Sequence, residues 1–444
     1  MGGNDLNAQL SALVDDRVGE GMFRVRKDIY TDAAVYEREV KTIFERDWVF
    51  LCHESQMKLP GDYVTTQVGN HPVFVLRQDD GTLRAFLNVC PHRGSVLLPL
   101  KQGKVRGSID CRFHGWAFAP TGECEGITFE RAGGYSGGKA DKKHFGLTPL
   151  SRLDVYRGFI FGSIAPVDRS LHEFLGATQP FIDLFVDQSP LGIEVLRGSS
   201  TYVCHHNWKM QVENVPDGYH VPTVHRVFGS TMANRQLRPG YEGLLQTETG
   251  RISGNVKNGC YDLGRGHMLL WADRATPEAA PLYPSTAAIE AAHSDAKAHW
   301  MLRRGRNLMV FPNLVLNDLA STHLRTHRPL GPDRTEVTVS CIAPVGESRD
   351  ARYARLRKFE DFFLLTGMAT SDDLVSLNIV HQGARADARP WIDFQRGIGT
   401  VIPGADEAAR QLGVTPVTSN SSWTHETPYH GLYRHWLRQM TSAD

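Results

Sequence analysis

The chain has 444 residues, 41% of them hydrophobic and 22% charged, which is ordinary for a globular protein and long enough for two domains. Lys and Arg total 49, as do Asp and Glu, so the zero formal charge gives no support for binding to nucleic acid or to a membrane surface. The N-terminus lacks the basic and apolar features of a signal peptide, and no apolar run approaches the roughly 18 residues of a membrane span. Seven cysteines without framework spacing favour a reducing compartment, and we predict a cytoplasmic protein.

Residues 1–44 are predicted to form an N-terminal arm that packs on a later domain. Thr31 or Asp32 is suited to cap a helix, and apolar residues at helical spacing predict a helix from Tyr36 to Trp48. We assign no chemistry to this arm.

Residues 45–165 are predicted to form a small all-β domain. Short runs of alternating apolar and polar residues recur, and Asp80-Gly81 is a hairpin signal between two of them. The neighbouring Asp79 is therefore interpreted as part of a turn and not as a metal ligand.

Two short loops of this β domain contain residue types that bind metals. The candidate ligands are Cys90, His92, Cys111 and His114. A structural zinc uses two Cys and two His, usually with at least two residues inside each pair, whereas a Rieske [2Fe-2S] centre needs two Cys on one iron and two His on the other. Gly94 and Gly115 follow the two histidines, where a tight backbone can wrap a cluster. We favour the Rieske centre.

The other cysteines lack metal spacing. Cys204-His205-His206 has no accompanying Cys-x-x-His and lies at the end of a strand-like run, so we interpret it as structural. Four more cysteines are predicted to be packed thiols, namely Cys52, Cys124, Cys260 and Cys341.

Residues 166–444 contain both helical spacing and strand-like runs of apolar residues, which predicts an α+β domain. Helices are expected over Leu171–Val186 and Tyr353–Leu365. Strands are expected near 307–311, 314–316 and 335–342.

His220 and His225 are five residues apart, with Asp217 three residues before the first. On an ideal helix the two imidazoles would point about 140° apart, so both reach one metal only if the helix is broken, and Pro222 is placed to break it. Two histidines and a carboxylate form the open iron site of non-haem oxygenases. Taken alone, two unrelated histidines are an equally good interpretation.

A carboxylate ligand from a distant part of the chain would complete that site. Asp372 and Asp373 follow the predicted helix over Tyr353–Leu365, but an aspartate there can equally cap the next helix. Asp361 is a weaker candidate, because we expect it on the solvated face of its helix.

Together these motifs resemble the large (α) subunit of Rieske non-haem iron ring-hydroxylating oxygenases, over nearly the whole chain. The residues that carry the resemblance are the two Cys/His loops, Asn207-Trp208-Lys209 and the stretch 213–225. Within the family the chain is most similar to the benzoate, toluate, halobenzoate and anthranilate 1,2-dioxygenases, on Val186-Asp187-Gln188-Ser189-Pro190, on Glu194-Val195-Leu196-Arg197-Gly198 and on 360–370. It departs from that branch at Val215-Pro216 and Arg226, beside the iron motif.

The resemblance implies an all-β Rieske domain, a catalytic domain with an antiparallel sheet surrounded by helices, and two metal centres. Cys90, His92, Cys111 and His114 would hold the [2Fe-2S] cluster, and His220, His225 and Asp373 would hold a mononuclear Fe(II). Asp217 would orient His220 and transfer electrons from His114 of a neighbouring subunit. Asn214 and Tyr219 would line the iron site.

The resemblance also implies partners and a reaction. The chain would form an α trimer, within an α3β3 hexamer with a small β subunit, and would receive electrons from an NADH-dependent reductase, with or without a ferredoxin. No Gly-x-Gly-x-x-Gly turn predicts a nicotinamide site in this chain. The reaction would add O2 to an aromatic carboxylate to give a cis-dihydrodiol, with Arg325 or Arg226 as the carboxylate anchor. The alternatives are a salicylate-type monooxygenase and a Rieske electron carrier; about 280 residues beyond the Rieske domain and a complete set of iron ligands argue against the carrier.

Overall fold

The computed structural model describes residues 3–236 and 256–442. The chain divides into two compact units. One is Phe44–Leu171, and the other joins the N-terminal arm up to Ile43 to the chain from His172 onward. Among the described helices, none combines the length and the apolar character that crossing a bilayer requires.

The N-terminal arm alternates short helices and strands. Its elements are α1 (Gly3–Ser11), β1 (Val14–Arg17), β2 (Met22–Arg26), α2 (Asp28–Thr31) and α3 (Ala33–Glu39). Asp32 caps α3, because its carboxylate accepts hydrogen bonds from the backbone N–H groups of Ala34 and Val35. The helix continues as a π-helical turn over Val40–Phe44 and ends there, so the predicted helix begins earlier and stops four residues sooner than expected.

The unit Phe44–Leu171 is built from three small antiparallel sheets, as predicted for a β domain. Its strands are β3 (Val49–His53), β4 (Asp62–Val68), β5 (His71–Arg77), β6 (Leu83–Leu87), β7 (Gln102–Lys104), β8 (Ile109–Asp110), β9 (Ala117–Phe118), β10 (Cys124–Gly126), β11 (Arg152–Tyr156) and β12 (Phe159–Ser163). The sheets have the orders β6-β5-β4-β7, β11-β12-β3 and β10-β9-β8. Asp80 lies in the β5–β6 hairpin and accepts a 2.9 Å hydrogen bond from the Thr82 N–H, which confirms its role in the turn.

The second unit contains a nine-stranded antiparallel sheet with helices, which confirms the α+β prediction. Its elements are α4 (Leu171–Leu175), α5 (Gln179–Val186), β13 (Ile193–Cys204), α6 (Trp208–Glu213), α7 (Val221–Val224), α8 (Arg226–Gln236), β14 (Asn258–Gly264), β15 (His267–Asp273), α9 (Thr286–Ala292), α10 (Asp295–Leu302), β16 (Arg304–Val310), β17 (Leu314–Asn317), β18 (His323–Gly331), β19 (Arg334–Pro344), α11 (Arg349–Phe363), α12 (Thr370–Ala384), β20 (Trp391–Asp393), β21 (Ile402–Pro403), α13 (Glu407–Leu412), β22 (Thr418–Asn420) and α14 (Pro428–Thr441).

The strand order of the large sheet is β13-β19-β18-β17-β16-β15-β14-β22-β21, while β20 pairs with β2 of the arm. The predicted helix over Leu171–Val186 is interrupted by a 3-10 turn at Gly176–Thr178. The predicted helix over Tyr353–Leu365 is α11, which begins four residues earlier and ends two residues earlier.

A buried carboxylate joins the arm to the rest of the second unit. Glu39, at the end of α3, is fully buried and accepts hydrogen bonds from the Lys209 ammonium (2.5 Å), the Trp208 indole (2.7 Å) and the Trp436 indole (2.7 Å). Trp208 and Lys209 begin α6, and Trp436 belongs to α14. Because a buried charge needs a partner charge or hydrogen bonds, these three contacts fix the relative positions of the three helices.

Removing one charge of this pair is expected to destabilise the fold strongly. Lys209→Met leaves the Glu39 carboxylate buried without its cation, and we expect the free energy of unfolding to fall by about 3–5 kcal/mol. Chemical denaturation measures the loss. Arg410→Met is the matched control, because Arg410 and Glu407 form an exposed ion pair, and it should change stability by less than about 1 kcal/mol. Equal effects of the two substitutions would contradict the role assigned to Glu39.

Candidate active site: a cluster cradle and an iron triad

The two Cys/His loops of the β unit share one backbone hydrogen-bond pattern. In the first loop the Gly94 N–H donates to the Cys90 carbonyl (3.0 Å), and in the second the Gly115 N–H donates to the Cys111 carbonyl (2.8 Å). Both glycines have positive φ, +74° and +68°, which a side chain would disfavour. The two loops therefore share one tight turn, although the histidine lies two residues after the cysteine in the first loop and three residues after it in the second.

The four side chains of these loops are grouped by type. The thiols of Cys90 and Cys111 are buried and interact with each other, and the rings of His92 and His114 lie with their centroids 4.6 Å apart. Burial acts to raise the pKa of Cys111, but backbone N–H groups of the loop outweigh it and lower that pKa. Such N–H groups also stabilise thiolates bound to iron.

A single zinc ion does not fit this arrangement. Four zinc ligands at bonds of about 2.0–2.3 Å would all converge within about 4 Å of one another. Among residues 3–236 and 256–442, the ligand atoms of His220, His225 and Asp373 converge within 4.8 Å of one another. The four loop residues do not form such a group. A pair of cysteines and a separate pair of histidines fits the two irons of a Rieske cluster.

The iron histidines flank a single helical turn. His220 is the residue before α7 and His225 the residue after it, where the backbone leaves helical geometry before α8 begins. Pro222 lies within the first turn of α7, where proline is tolerated. The expected break at Pro222 is therefore wrong; the helical turn ends at His225 instead, and the Nε2 atoms of the two histidines lie 3.2 Å apart.

Asp373 reaches the same point from the first turn of α12. Its Oδ1 atom lies 3.4 Å from His220 Nε2 and 3.2 Å from His225 Nε2, and the two Nε2 atoms are 3.2 Å apart. Bonds of about 2.1 Å at right angles to one iron would place such donor atoms about 3.0 Å apart, so the set fits one face of an octahedral ion. Among the described residues, no side chain caps α12, and Asp372 lies outside the group of converging ligands.

Asp217 holds His220 in place. One carboxylate oxygen of Asp217 accepts from the backbone N–H groups of Tyr219 (2.8 Å) and His220 (3.2 Å), and the other lies 3.1 Å from His220 Nδ1. Burial opposes a charge on His220, yet Asp217 and Asp373 raise the pKa of His220 to about 10. Two carboxylates beside the imidazoles favour a cation at this point, and a metal ion bound there would be such a cation.

Next to Asp217, Gly218 allows the chain to pass close to Trp423. The Gly218 N–H donates a 3.0 Å hydrogen bond to the Trp423 carbonyl, and a Cβ at Gly218 would lie 2.6 Å from Trp423 atoms. Only glycine fits this approach, which fixes the loop that carries Asp217 and His220.

A cavity opens beside the three iron ligands. Among the predicted residues, Asn214, Asp217 and Arg325 line it. Apolar groups from α8, α11 and β15 surround it, together with polar residues that the sequence analysis did not single out, Asn307, Asn317 and His323. In the sequence, each of those three is an ordinary polar residue without a motif around it. They meet at the cavity because their strands pair in this register.

Other predicted residues lie elsewhere. Tyr219 is 52% exposed, its ring is covered by Arg396 at 4.1 Å, and it is not part of the lining. Arg226 is exposed on α8 and also lies outside the lining. Asp361 lines the cavity and pairs with Arg235 at 3.3 Å, so its expected place on a solvated face is wrong. Cys204 is buried at the end of β13.

Comparisons with known proteins agree with this geometry. Residues 47–137 match the Rieske [2Fe-2S] domain family, and residues 194–442 match the catalytic domain of the ring-hydroxylating alpha subunits. The chain belongs to the ring-hydroxylating dioxygenase alpha-subunit family. Because the catalytic domain is present, the alternative of a simple Rieske electron carrier is excluded.

The alpha subunit is similar to several characterised enzymes. It is 39% identical to the toluate 1,2-dioxygenase alpha subunit of Pseudomonas putida, over 98% of this chain and 94% of that one. It is 39% identical to the 2-halobenzoate 1,2-dioxygenase large subunit of Burkholderia cepacia, over 97% and 92%. A structure of naphthalene 1,2-dioxygenase with bound indole superimposes with a TM-score of 0.81 at 26% identity, over 95% and 93%. These matches confirm the predicted branch of the family.

Replacing Asp373 should remove the mononuclear iron and leave the cluster. In Asp373→Asn a neutral amide replaces the anionic ligand, so we expect iron content to fall from about three to about two atoms per alpha subunit. Metal analysis measures the fall, and the electron paramagnetic resonance signal of the reduced Rieske centre should persist. Asp372→Asn is the matched control and should keep all the iron; loss of iron in that variant alone would assign the ligand to Asp372.

The residue before Asn214 provides a pH-dependent test. Glu213 is enclosed by Tyr30 and Tyr433, and the Tyr30 hydroxyl donates to it at 2.6 Å. Burial is the largest influence and raises the pKa of Glu213 to about 7, against the effect of these hydrogen bonds. The folded alpha subunit therefore holds this proton where the unfolded chain, with an ordinary value of 4.5, has lost it.

The contribution of Glu213 to stability is complete below about pH 4.5 and is lost as pH rises through 7. We expect Glu213→Gln to gain about 1–3 kcal/mol relative to the native chain between pH 4.5 and 7.5, measured by urea unfolding. Glu407→Gln, at an exposed site, should follow the native profile. Parallel profiles for Glu213→Gln and the native chain would contradict the raised pKa.

Proposed function

We propose that this alpha subunit is the terminal oxygenase of a multicomponent dioxygenase that cis-dihydroxylates a benzoate-like aromatic carboxylate. The observation that carries the proposal is the environment of Arg325. Its guanidinium lines the cavity that contains the iron ligands, and its buried Nε has no hydrogen-bond partner among the described residues. A cation that is partly buried without an anion is costly, and a substrate carboxylate would supply that anion.

The other cations of the cavity lining are engaged by the protein. Arg274 donates to the backbone carbonyls of Asp318 (2.7 Å) and Leu319 (3.3 Å), and Lys358 donates to the Ala279 carbonyl. Arg325 projects from β18. Burial lowers the pKa of Arg325 from its very high ordinary value, while Tyr202 and Asp373 oppose that change. Arg325 and Asp373 line the same cavity, so an acid bound to Arg325 would share that cavity with the iron ligands.

The names of the relatives support the same substrate class, because toluate and 2-halobenzoate are aromatic carboxylates. When bound, the cluster would pass electrons to the mononuclear iron, which would activate O2 for addition to the ring. The protein orients the acid through Arg325, holds His220 through Asp217, and encloses the ring with apolar side chains such as Phe228 and Phe362.

The proposal extends to partners. An NADH-dependent reductase, with or without a ferredoxin, would reduce the cluster held by Cys90, His92, Cys111 and His114. An α trimer, in an α3β3 hexamer, would bring His114 of one subunit to Asp217 of the next. Family membership supports these assignments.

Labelled oxygen tests the reaction. The purified oxygenase, chemically reduced, would receive 18O2 and a panel of aromatic acids and unsubstituted arenes for one turnover. We expect two labelled oxygens in a dihydrodiol derived from an acid, as counted by mass spectrometry. One label would establish a monooxygenase instead, and products from arenes alone would overturn the carboxylate assignment.

Arg325→Met tests the anchor. Loss of a charge-assisted hydrogen bond should raise the KM for aromatic acids by about 10–100-fold and leave turnover of neutral arenes nearly unchanged. Arg226→Met is the matched control, because Arg226 is exposed outside the cavity, and its KM should stay at the native value. An unchanged KM in Arg325→Met would remove Arg325 as the anchor.

A further inference from the structure

Three polar side chains form one row across the floor of the cavity. Asn307 on β16 pairs with Asn317 on β17, which in turn pairs with His323 on β18. Residues directly opposite one another in antiparallel strands lie on the same face of the sheet, and all three line the cavity. The next residue on that face of β18 is Arg325, two positions after His323.

The row is buried, and part of its hydrogen-bonding capacity is unused. His323 is 2% exposed, and neither ring nitrogen has a hydrogen-bond partner among the described residues. Asn307 donates its amide to the Val215 carbonyl at 2.8 Å, which fixes its orientation, and its buried Oδ1 has no partner in the same part of the chain. A buried polar atom without a partner costs about 1–3 kcal/mol, so the fold retains a cost at these positions.

Among the described residues, the neighbours of His323 offer no hydrogen bond to its ring nitrogens. The imidazole makes a T-shaped contact with the Phe363 ring, with centroids 4.0 Å apart, and Cys341 is the partner of His323 on β19. Burial, and then the charge of Arg325, hold the pKa of His323 well below its ordinary value, so the ring is neutral. A neutral imidazole offers one N–H donor and one acceptor nitrogen.

We propose that His323 and Asn307 determine specificity for an aromatic acid that carries a hydroxyl or amino group on its ring. This inference rests on the proposed function and narrows its substrate class. The Asn307 oxygen accepts a hydrogen, so the ring substituent must donate one, as hydroxyl and amino groups do and as methyl and halogen groups do not. With the carboxylate on Arg325, the second substituent would meet the polar row.

The physical consequence is discrimination against substrates that lack the donor. A site built to hydrogen-bond a substrate O–H or N–H rejects an analogue without it, because the buried polar groups of the site then remain unpaired. Methyl, amino and hydroxyl groups are close in size. A methylbenzoate therefore fills the same space as an amino- or hydroxybenzoate and tests the hydrogen bond alone.

The experiment uses the complete oxygenase with its reductase. Binding and kcat/KM would be measured for hydroxy-, amino-, methyl- and chlorobenzoates substituted at each ring position, and for benzoate. We expect at least one hydroxy- or aminobenzoate to exceed its methyl isostere by about 10-fold or more. His323→Phe, which keeps an aromatic ring beside Phe363, should reduce that ratio about 10-fold, and the melting temperature should not fall because the substitution removes two unpaired buried nitrogens.

A matched variant separates specificity from general effects on the strand. His327 is also a buried histidine on β18, but it packs against Trp208 and does not line the cavity. His327→Phe should keep the native substrate ratio. Asn307→Leu is a second, independent test that removes the acceptor on β16 and should also lower the ratio.

The outcomes distinguish this inference from the proposed function. Equal or better use of methyl- or chlorobenzoates at every position, or a ratio that His323→Phe leaves unchanged, would overturn the inference while aromatic acids remain the substrates. Failure of the native enzyme to bind or convert any aromatic acid would overturn the proposed function, and the inference with it.

Discussion

The buried charge on Glu39 is the constraint from which the geometry of the catalytic unit follows. Its carboxylate is bound by Lys209, Trp208 and Trp436, so the arm, α6 and α14 have one relative arrangement. The chain that leaves α6 leads directly into the loop of Asp217 and the iron histidines. An active site needs its ligands held to within a fraction of an ångström, and here that precision begins with an ion pair that water does not reach.

The catalytic unit contains two kinds of buried polar group, which differ in whether the protein supplies their hydrogen-bond partners. At Glu39 every charge has a partner, which gives rigidity and no binding capacity. In the cavity, Arg325, His323 and Asn307 keep atoms that have no partner in the described part of the chain, which costs stability and leaves those atoms available to a ligand. His327 and His381 also lack hydrogen-bond partners among the described residues but do not line the cavity, so recognition requires both an unpaired atom and a place in the lining.

Sequence was sufficient where a function depends on residues close together in the chain. The loops around Cys90 and Cys111, and the pair His220 and His225, could be predicted because ligand type and spacing are local properties. The α+β class also followed from periodicity. The choice of Asp373 over Asp372 needed family resemblance. Two neighbouring aspartates at the start of a helix look the same in sequence and differ only in where their side chains point.

What sequence could not provide is strand pairing. Asn307, Asn317 and His323 meet only because β16, β17 and β18 pair in one register, and a shift by one residue would turn all three to the other face. For the same reason the position of Arg325 in the cavity and the exposure of Arg226 were not distinguishable beforehand. The exposed position of Tyr219 and the cavity position of Asp361 likewise depend on contacts between distant elements.

The chain order of the two units has a consequence for how the protein is made. The unit Phe44–Leu171 is continuous, so a ribosome can release all of it before most of the catalytic unit exists. Glu39 emerges before that unit, yet its partner Trp436 is 397 residues further along the chain. The cluster-binding unit can therefore complete its fold during synthesis, whereas the arm must wait for the last helix before its buried carboxylate is fully bonded.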